Sequence, residues 1–335
     1  MKKLLSILMF LAVSSGLSAP VPSSARDIAV EKVITGAMRA INGEKASRQL
    51  QGSEYMGSCY PNVGPSGDPR DLGRAIQGVS VDEIDKILYV TGNGPSGSTE
   101  IYAMRWDSKD PKKRTFLARS GWPFQTFAHQ GMSVYRPDPQ SRPLFFSGGN
   151  AAASSSVKDD KDDLLRLRLI DWNYRHPSKI KVLRTWVLFD KKQFKRGNIN
   201  ISITPDQKQL IARAKRKRDN VDVYRIWDIQ SLLSMKGQGI IDASQRYVKT
   251  VDSAWGDKRL DGQAMAYDGR YIYMLASDQH LGPHSISIMD DKGHRVMQTR
   301  QSTEGQELYL KPERAEGESI FFVRRHGRYV PVLAV

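Results

Sequence analysis

Cysteine is almost missing. Cys59 stands alone among 335 residues, so no disulfide can form within the chain and stability must come from packing. With no partnered histidine identified, that thiol reads as structural. Acidic residues are in deficit: 36 Asp and Glu face 51 Lys and Arg, a net charge of +15. No apolar run reaches the roughly 20 residues that a membrane-spanning helix needs. Catalytic signatures are absent too, with no Gly-x-Ser-x-Gly, His-Glu-x-x-His, P-loop or paired-cysteine motif. His280 and His284 are four apart, but Gly282-Pro283 between them argues against a shared helix face. The acidic run Asp159, Asp160, Asp162, Asp163 lacks the spacing and glycine of a calcium loop. No metal and no cofactor is expected.

The first residues have the pattern of an export signal. Lys2 and Lys3 precede a short apolar stretch from Leu4 to Val13, and small residues follow. Cleavage after Ala25 fits best, with Ser23 three residues back; a cut after Ala19 would leave Pro20 directly behind it. The expected organisation is a signal segment at 1–25, an N-terminal segment at 26–70, and a repeat domain at 71–335, secreted or periplasmic.

What the chain does have is a recurring phrase: Gln, small, apolar, small, apolar. It reads Gln77-Gly78-Val79-Ser80-Val81, Gln130-Gly131-Met132-Ser133-Val134, a degraded Ile199-Asn200-Ile201-Ser202-Ile203, Gln263-Ala264-Met265-Ala266-Tyr267, and a looser Gln306-Glu307-Leu308-Tyr309-Leu310. The starts lie 53, 69, 64 and 43 residues apart, the scale of one propeller blade plus a variable loop. Each phrase is followed by a polar turn, a β-rich run such as Ile87-Leu88-Tyr89-Val90 or Ile320-Phe321-Phe322-Val323, and then an alternating run such as Asp222-Val223-Tyr224-Arg225-Ile226. Short alternating runs between turn residues are antiparallel strands. The fold expected is all-β, a five-bladed β-propeller of four-stranded antiparallel blades, with the phrases innermost. A β-sandwich of similar strand count is the competing fold, and it does not explain a repeated inner-strand phrase. The last unit stops after three strands, so a strand from before Gln77 should close the ring. Ile28–Ile34 and the stretch around Arg48–Leu50 are the candidates.

The Gln-led strand, acidic turn and Ile-Leu-Tyr-Val strand of Gln77–Val90, with Gln130–Phe146 and more weakly Gln263–Met274, resemble a known propeller family. Its members are teichoic-acid biosynthesis protein C, helveticin-type bacteriocins and a staphylococcal phage receptor-binding protein. The resemblance covers roughly 71–335 and implies five blades and an association with bacterial surface polymers. Ile199 departs from it, standing where the other copies have Gln. No catalytic residue carries over.

Two groups of residues are candidate sites. Gln77, Gln130, Gln263 and Gln306 would place amides around one mouth of the channel, each offering donors and an acceptor to a ligand or to neighbouring blades. His129 and Arg74, just ahead of the phrases, join that ligand-binding set. Arg213, Lys215, Arg216, Lys217 and Arg218 form the densest basic cluster, placed in a loop of the third unit, with Lys191, Lys192, Lys195 and Arg196 sharing its rim. A positive field of this size favours encounter with polyanions and makes binding salt-dependent; the competing reading is a solvated loop. No aromatic platform interleaves these cations, so nucleic acid is not the expected partner. The expected function is an exported propeller that binds an anionic or hydroxyl-rich bacterial or host surface polymer, a role that suits an antimicrobial or host-interaction factor, with contact to a membrane surface compatible with it. The alternative is a secreted carbohydrate-active enzyme on the same ring, with Asp82 and Glu307 as paired channel carboxylates.

Overall fold

The computed structural model describes residues 54–55, 76–93, 99–105, 115–120, 131–148, 165–195, 199–253, 261–277, 285–298, 319–325 and 328–334. The export signal, both candidate closing stretches, Cys59, His280, His284 and the acidic run at 159–163 lie outside these residues. Among the described residues no helix is long and apolar enough to cross a membrane.

After β1 (Glu54–Tyr55), the chain lays down β2 (Ile76–Asp82), β3 (Ile87–Asn93), β4 (Thr99–Arg105) and β5 (Thr115–Arg119) as one antiparallel sheet. The second sheet runs β6 (Met132–Tyr135), β7 (Leu144–Gly148), β8 (Arg166–Trp172) and β9 (Ile180–Val187). The third comprises β10 (Asn200–Ile203), β11 (Gln209–Lys215), β12 (Asp222–Asp228) and, after an excursion, β14 (Lys249–Asp252). That excursion holds α1 (Ile229–Ser234) and β13 (Ile240–Asp242), and β13 adds to the outer edge of the second sheet, parallel to β9. The fourth sheet is β15 (Asp261–Tyr267), β16 (Tyr271–Ser277), β17 (Ser285–Asp290) and β18 (Arg295–Gln298). Last come β19 (Ser319–Arg325) and β20 (Arg328–Ala334), with β1 parallel to β20.

The architecture is an all-β propeller with antiparallel blades. Four sheets have the four strands or more of a full blade, and the remaining sheet has three among the described residues. The expectation of five four-stranded blades is therefore corrected: four are seen. A second correction concerns the last unit. Its phrase, 306–310, lies outside the described residues, and β19, read from sequence as a second strand, stands beside the inner strands β2 and β15. The phrase strands β2, β6, β10 and β15 do take the inner position, each against the next.

Continuous apolar runs become intelligible here, because a strand between two neighbouring sheets is buried on both faces. Successive side chains point to opposite faces. Leu88 and Val90 accordingly pack with Phe321 and Val323 of the last sheet, while Ile87 and Tyr89 pack with Met132, Phe145 and Trp172 of the second. The same logic joins Phe146 and Trp186 to Ile201 and Trp227, and Ile211 and Tyr224 to Met265 and Met274. Tyr273 meets Phe322 edge-on at 5.6 Å, joining the fourth sheet to the last. α1 starts on Asp228, whose side chain accepts from Ser231 N, a standard cap. Its final carbonyls are met by Arg184, which donates to Leu233 O and Met235 O.

Candidate functional site

Small residues in the phrase have separate causes. Gly131 has φ +79°, and a Cβ there would lie 2.6 Å from Ile201 N of the next inner strand. Left-handed backbone and close approach both require glycine at that point. Serines stitch neighbouring sheets together: Ser80 Oγ accepts from Val134 N at 2.9 Å, and Ser319 Oγ accepts from Val79 N at 3.0 Å.

The inner strands enclose a cavity of about 670 Å³, lined among others by Ser133, Ser202, Met132, Met265, Phe322 and Arg136. Its lining includes the turns that follow the inner strands, so the described mouth is the turn end, away from the glutamines that begin the phrases. At that mouth Asp82 is buried. Its Oδ1 accepts from Ile84 N at 3.0 Å, and its Oδ2 receives Arg136 Nη1 at 2.7 Å. Asp85 Oδ2 lies 2.8 Å from the same nitrogen, and Arg136 Nη2 donates to Pro139 O at 2.9 Å. Burial alone would weaken the guanidinium's hold on its proton, but the hydrogen bonds to Asp85 and Asp82 more than offset this and keep it charged. Arg136 Nε is buried without a hydrogen-bond partner.

Further links run around the same rim. The backbone N–H of Arg136 donates to Gln207 Oε1, and that of Arg324 donates to Glu83 Oε1 at 2.9 Å. Lys86 Nζ lies 2.8 Å from Glu83 Oε2. Lys86 and Gln207 both line the cavity and hold positive φ, 55° and 59°, a conformation uncommon for residues other than glycine. Arg136 was missed by the sequence reading. It stands two residues after the second phrase, one place beyond the position that carries Asp82 and Asp268 in the first and fourth copies.

The basic cluster is also assembled across the chain. Arg213 and Lys215 belong to strand β11 rather than to a loop, which corrects the sequence reading. Arg213 is half-buried, with Nη1 3.3 Å from Met274 Sδ of the fourth sheet. Beyond the strand, Phe194 and Arg216 form an antiparallel bridge. Lys195 N donates to Lys215 O at 2.8 Å, and Lys217 Nζ to Lys191 O at 2.6 Å. Arg216 is held by two carboxylates, Asp219 at 2.8 Å and Asp252 at 2.8 Å. Arg218 Nε lies 3.2 Å from Asp219. The aspartates were not part of the sequence expectation, because Asp252 reaches Arg216 only through the β12–β14 pairing.

Of the amide ring, Gln77 and Gln263 lie near the starts of β2 and β15, but their side chains lie outside the description. Gln130, Gln306, His129, Arg74, Arg196 and Glu307 lie outside the described residues altogether. The structure therefore brings together Asp82 and Arg136 at one mouth, and the basic residues at the opposite end of the third sheet.

No protein-family model and no curated protein matches the chain. Solved structures similar to it include an exo-β-1,3-galactanase from Clostridium thermocellum, at 8% identity over 80% of this chain and 55% of that one, TM-score 0.47. The Dos1 propeller is similar at 10% identity over 68% and 48%, TM-score 0.35. TolB from Acinetobacter baumannii is similar at 14% identity over 77% and 46%, TM-score 0.33. The chain spans about half the length of the solved structures it matches. No functional conclusion is carried across these likenesses.

Proposed function

We propose that this chain is an exported, non-catalytic propeller that binds an anionic or hydroxyl-rich surface polymer, as its resemblance to the teichoic-acid and helveticin-type propellers implies. One observation carries the binding claim. Two basic segments, 190–195 and 215–220, are held side by side by the Phe194–Arg216 bridge on a firmly packed sheet. Cations outnumber carboxylates there, and Lys192, Lys217 and Arg218 are exposed. A fixed basic shelf meets a polyanion without first ordering a loop, which removes one cost of binding.

The rival enzymatic reading is weakened by Asp82, whose oxygens are taken by Arg136 and by the turn's own N–H groups. A carboxylate so engaged is poorly placed to act as acid or nucleophile. Binding of the full chain to poly(glycerol phosphate) at about 50 and 200 mM salt, a range over which polyanion affinity falls steeply, tests the proposal. Replacing Lys191, Lys192, Lys217 and Arg218 by Ser, with Arg216 kept, should weaken binding roughly tenfold or more and flatten the salt dependence. Stability should shift by no more than about 0.5 kcal/mol per substitution. Unchanged affinity and slope would reduce the shelf to a solvated surface. Glycan hydrolysis that disappears in Glu307→Gln would reinstate the enzyme.

A further inference from the structure

Beneath the basic shelf lies a buried cation. Arg225, on β12, is 6% exposed, and among the described residues no carboxylate forms an ion pair with it. Its Nη1 donates to Ser244 O at 2.8 Å. Three rings surround the guanidinium: Tyr247 at 4.2 Å, Phe194 at 4.9 Å and Phe189 at 5.5 Å from its central carbon. A charge taken out of water is costly unless it is compensated, and aromatic faces supply that compensation here. An apolar side chain would fill the same space without the cost, so packing alone does not account for an arginine.

The two phenylalanines show what the cation holds. Phe189 and Phe194 meet edge-on at 4.8 Å, one at each end of the turn that carries Lys191 and Lys192. That turn is closed by its own bonds: Gln193 N and Phe194 N donate to Asp190 O, and Lys192 N donates to Asp190 Oδ1 at 2.8 Å. Arg225 belongs to the third sheet, paired with Ala212 of β11, the strand that leads into the second basic segment. One guanidinium therefore touches the rings at both ends of the first segment from the sheet that carries the second. Lysines and arginines on the two segments repel one another, so keeping them side by side needs contacts of this kind. The Phe194–Arg216 bridge and the bond from Lys217 N to Gln193 O act in the same direction.

We infer that Arg225 is a positioning residue of the polyanion site: lying across Phe189 and Phe194, it fixes the 190–195 turn where Lys191 and Lys192 meet the ligand beside Lys217 and Arg218. This rests on the shelf being the binding site, and it makes the shelf's affinity depend on a residue that touches no ligand.

Titration of the full chain with poly(glycerol phosphate) at about 50 and 200 mM salt, with amide hydrogen exchange on the same samples, tests this. Arg225→Lys keeps the charge but loses the planar group that spans several rings. Arg225→Met keeps length and apolar packing without charge. Affinity should fall in the order parent, Arg225→Lys, Arg225→Met, with the last about tenfold weaker. The salt dependence should stay parental in both, because every ligand-facing cation is still present. The amides of Gln193, Lys195 and Lys217 should exchange faster, and those of the first sheet should not. A purely structural arginine would lower Tm and leave affinity unchanged wherever the chain is fully folded. Parental affinity in both variants would therefore overturn the inference, and so would a weakened variant with a flattened salt dependence, which would make Arg225 a source of charge rather than of position. Arg225→Lys carries the test alone if Arg225→Met does not fold. Absence of binding by the parent, or parental binding by the variant lacking Lys191, Lys192, Lys217 and Arg218, would instead remove the shelf reading, and this inference with it.

Discussion

At the turn end of the channel, Arg136 is clasped by Asp82 with both side chains nearly out of water, 8% and 1% exposed. At the opposite end of the third sheet, Arg216 is clasped by Asp219 and Asp252, with Asp252 half in solvent at 51%. The partners are the same types at similar distances, and burial makes the two clasps differ. Removing one member of a buried pair leaves an uncompensated charge, whereas an exposed pair is screened and its loss is small. The first clasp links the first two sheets across 54 residues of sequence; the second ties a turn to the edge of its own sheet. Asp82 and Arg136 therefore belong to the frame of the ring, while the shelf around Arg216 sits on a frame already made.

The strongest way to break this contrast is Asp82→Ala. Its cost should approach but not reach the about 3–5 kcal/mol of a fully broken buried pair, because Asp85 still holds Arg136 Nη1 while the turn loses its cap at Ile84. Denaturant unfolding reads this directly, and a loss as small as that of a surface pair would show that the mouth is wetter than its exposure indicates. Next comes Gly131→Ala, at the other end of the inner strands. With φ +79° and a backbone nitrogen 2.6 Å from the new Cβ, the substitution should cost roughly 1–3 kcal/mol. Ser133→Ala two residues on, with ordinary backbone, is the control that separates strain from a lost side chain.

The smallest effect is expected at the exposed clasp, and it should depend on pH. The hydrogen bond from Arg216 holds the Asp219 carboxyl well below the usual carboxylate range, and the N–H of Val221 and the Arg218 side chain act in the same direction. A folded-state value below the unfolded one stabilises fully above the unfolded value, about pH 4, and that stabilisation is lost as pH falls through the folded value. Asp219→Asn should therefore lower Tm slightly at pH 7 and less in high salt, and the difference should begin to shrink below about pH 4 and close only in strongly acidic solution. A Tm gap that stays constant from neutral to strongly acidic solution would show that the carboxylate's charge plays no part.

Local pattern determined much of this protein. Alternating short runs specified antiparallel strands, and the phrase copies at Val79, Met132, Ile201 and Met265 marked four inner strands, because side-chain period and the demand for small residues are written within a few neighbouring positions. The basic cluster was legible for the same reason. Tertiary structure alone decided the rest. It placed β19 on the ring in a position the phrase reading had given to 306–310, sent β13 onto the outer edge of the preceding sheet, and put Arg213 and Lys215 into a strand. It also set Arg136 against Asp82 and Asp85, and Asp252 against Arg216. Each of these depends on which edges and charges meet across long separations, and that is settled by packing and desolvation in the assembled ring, where a local period carries no record of the partner.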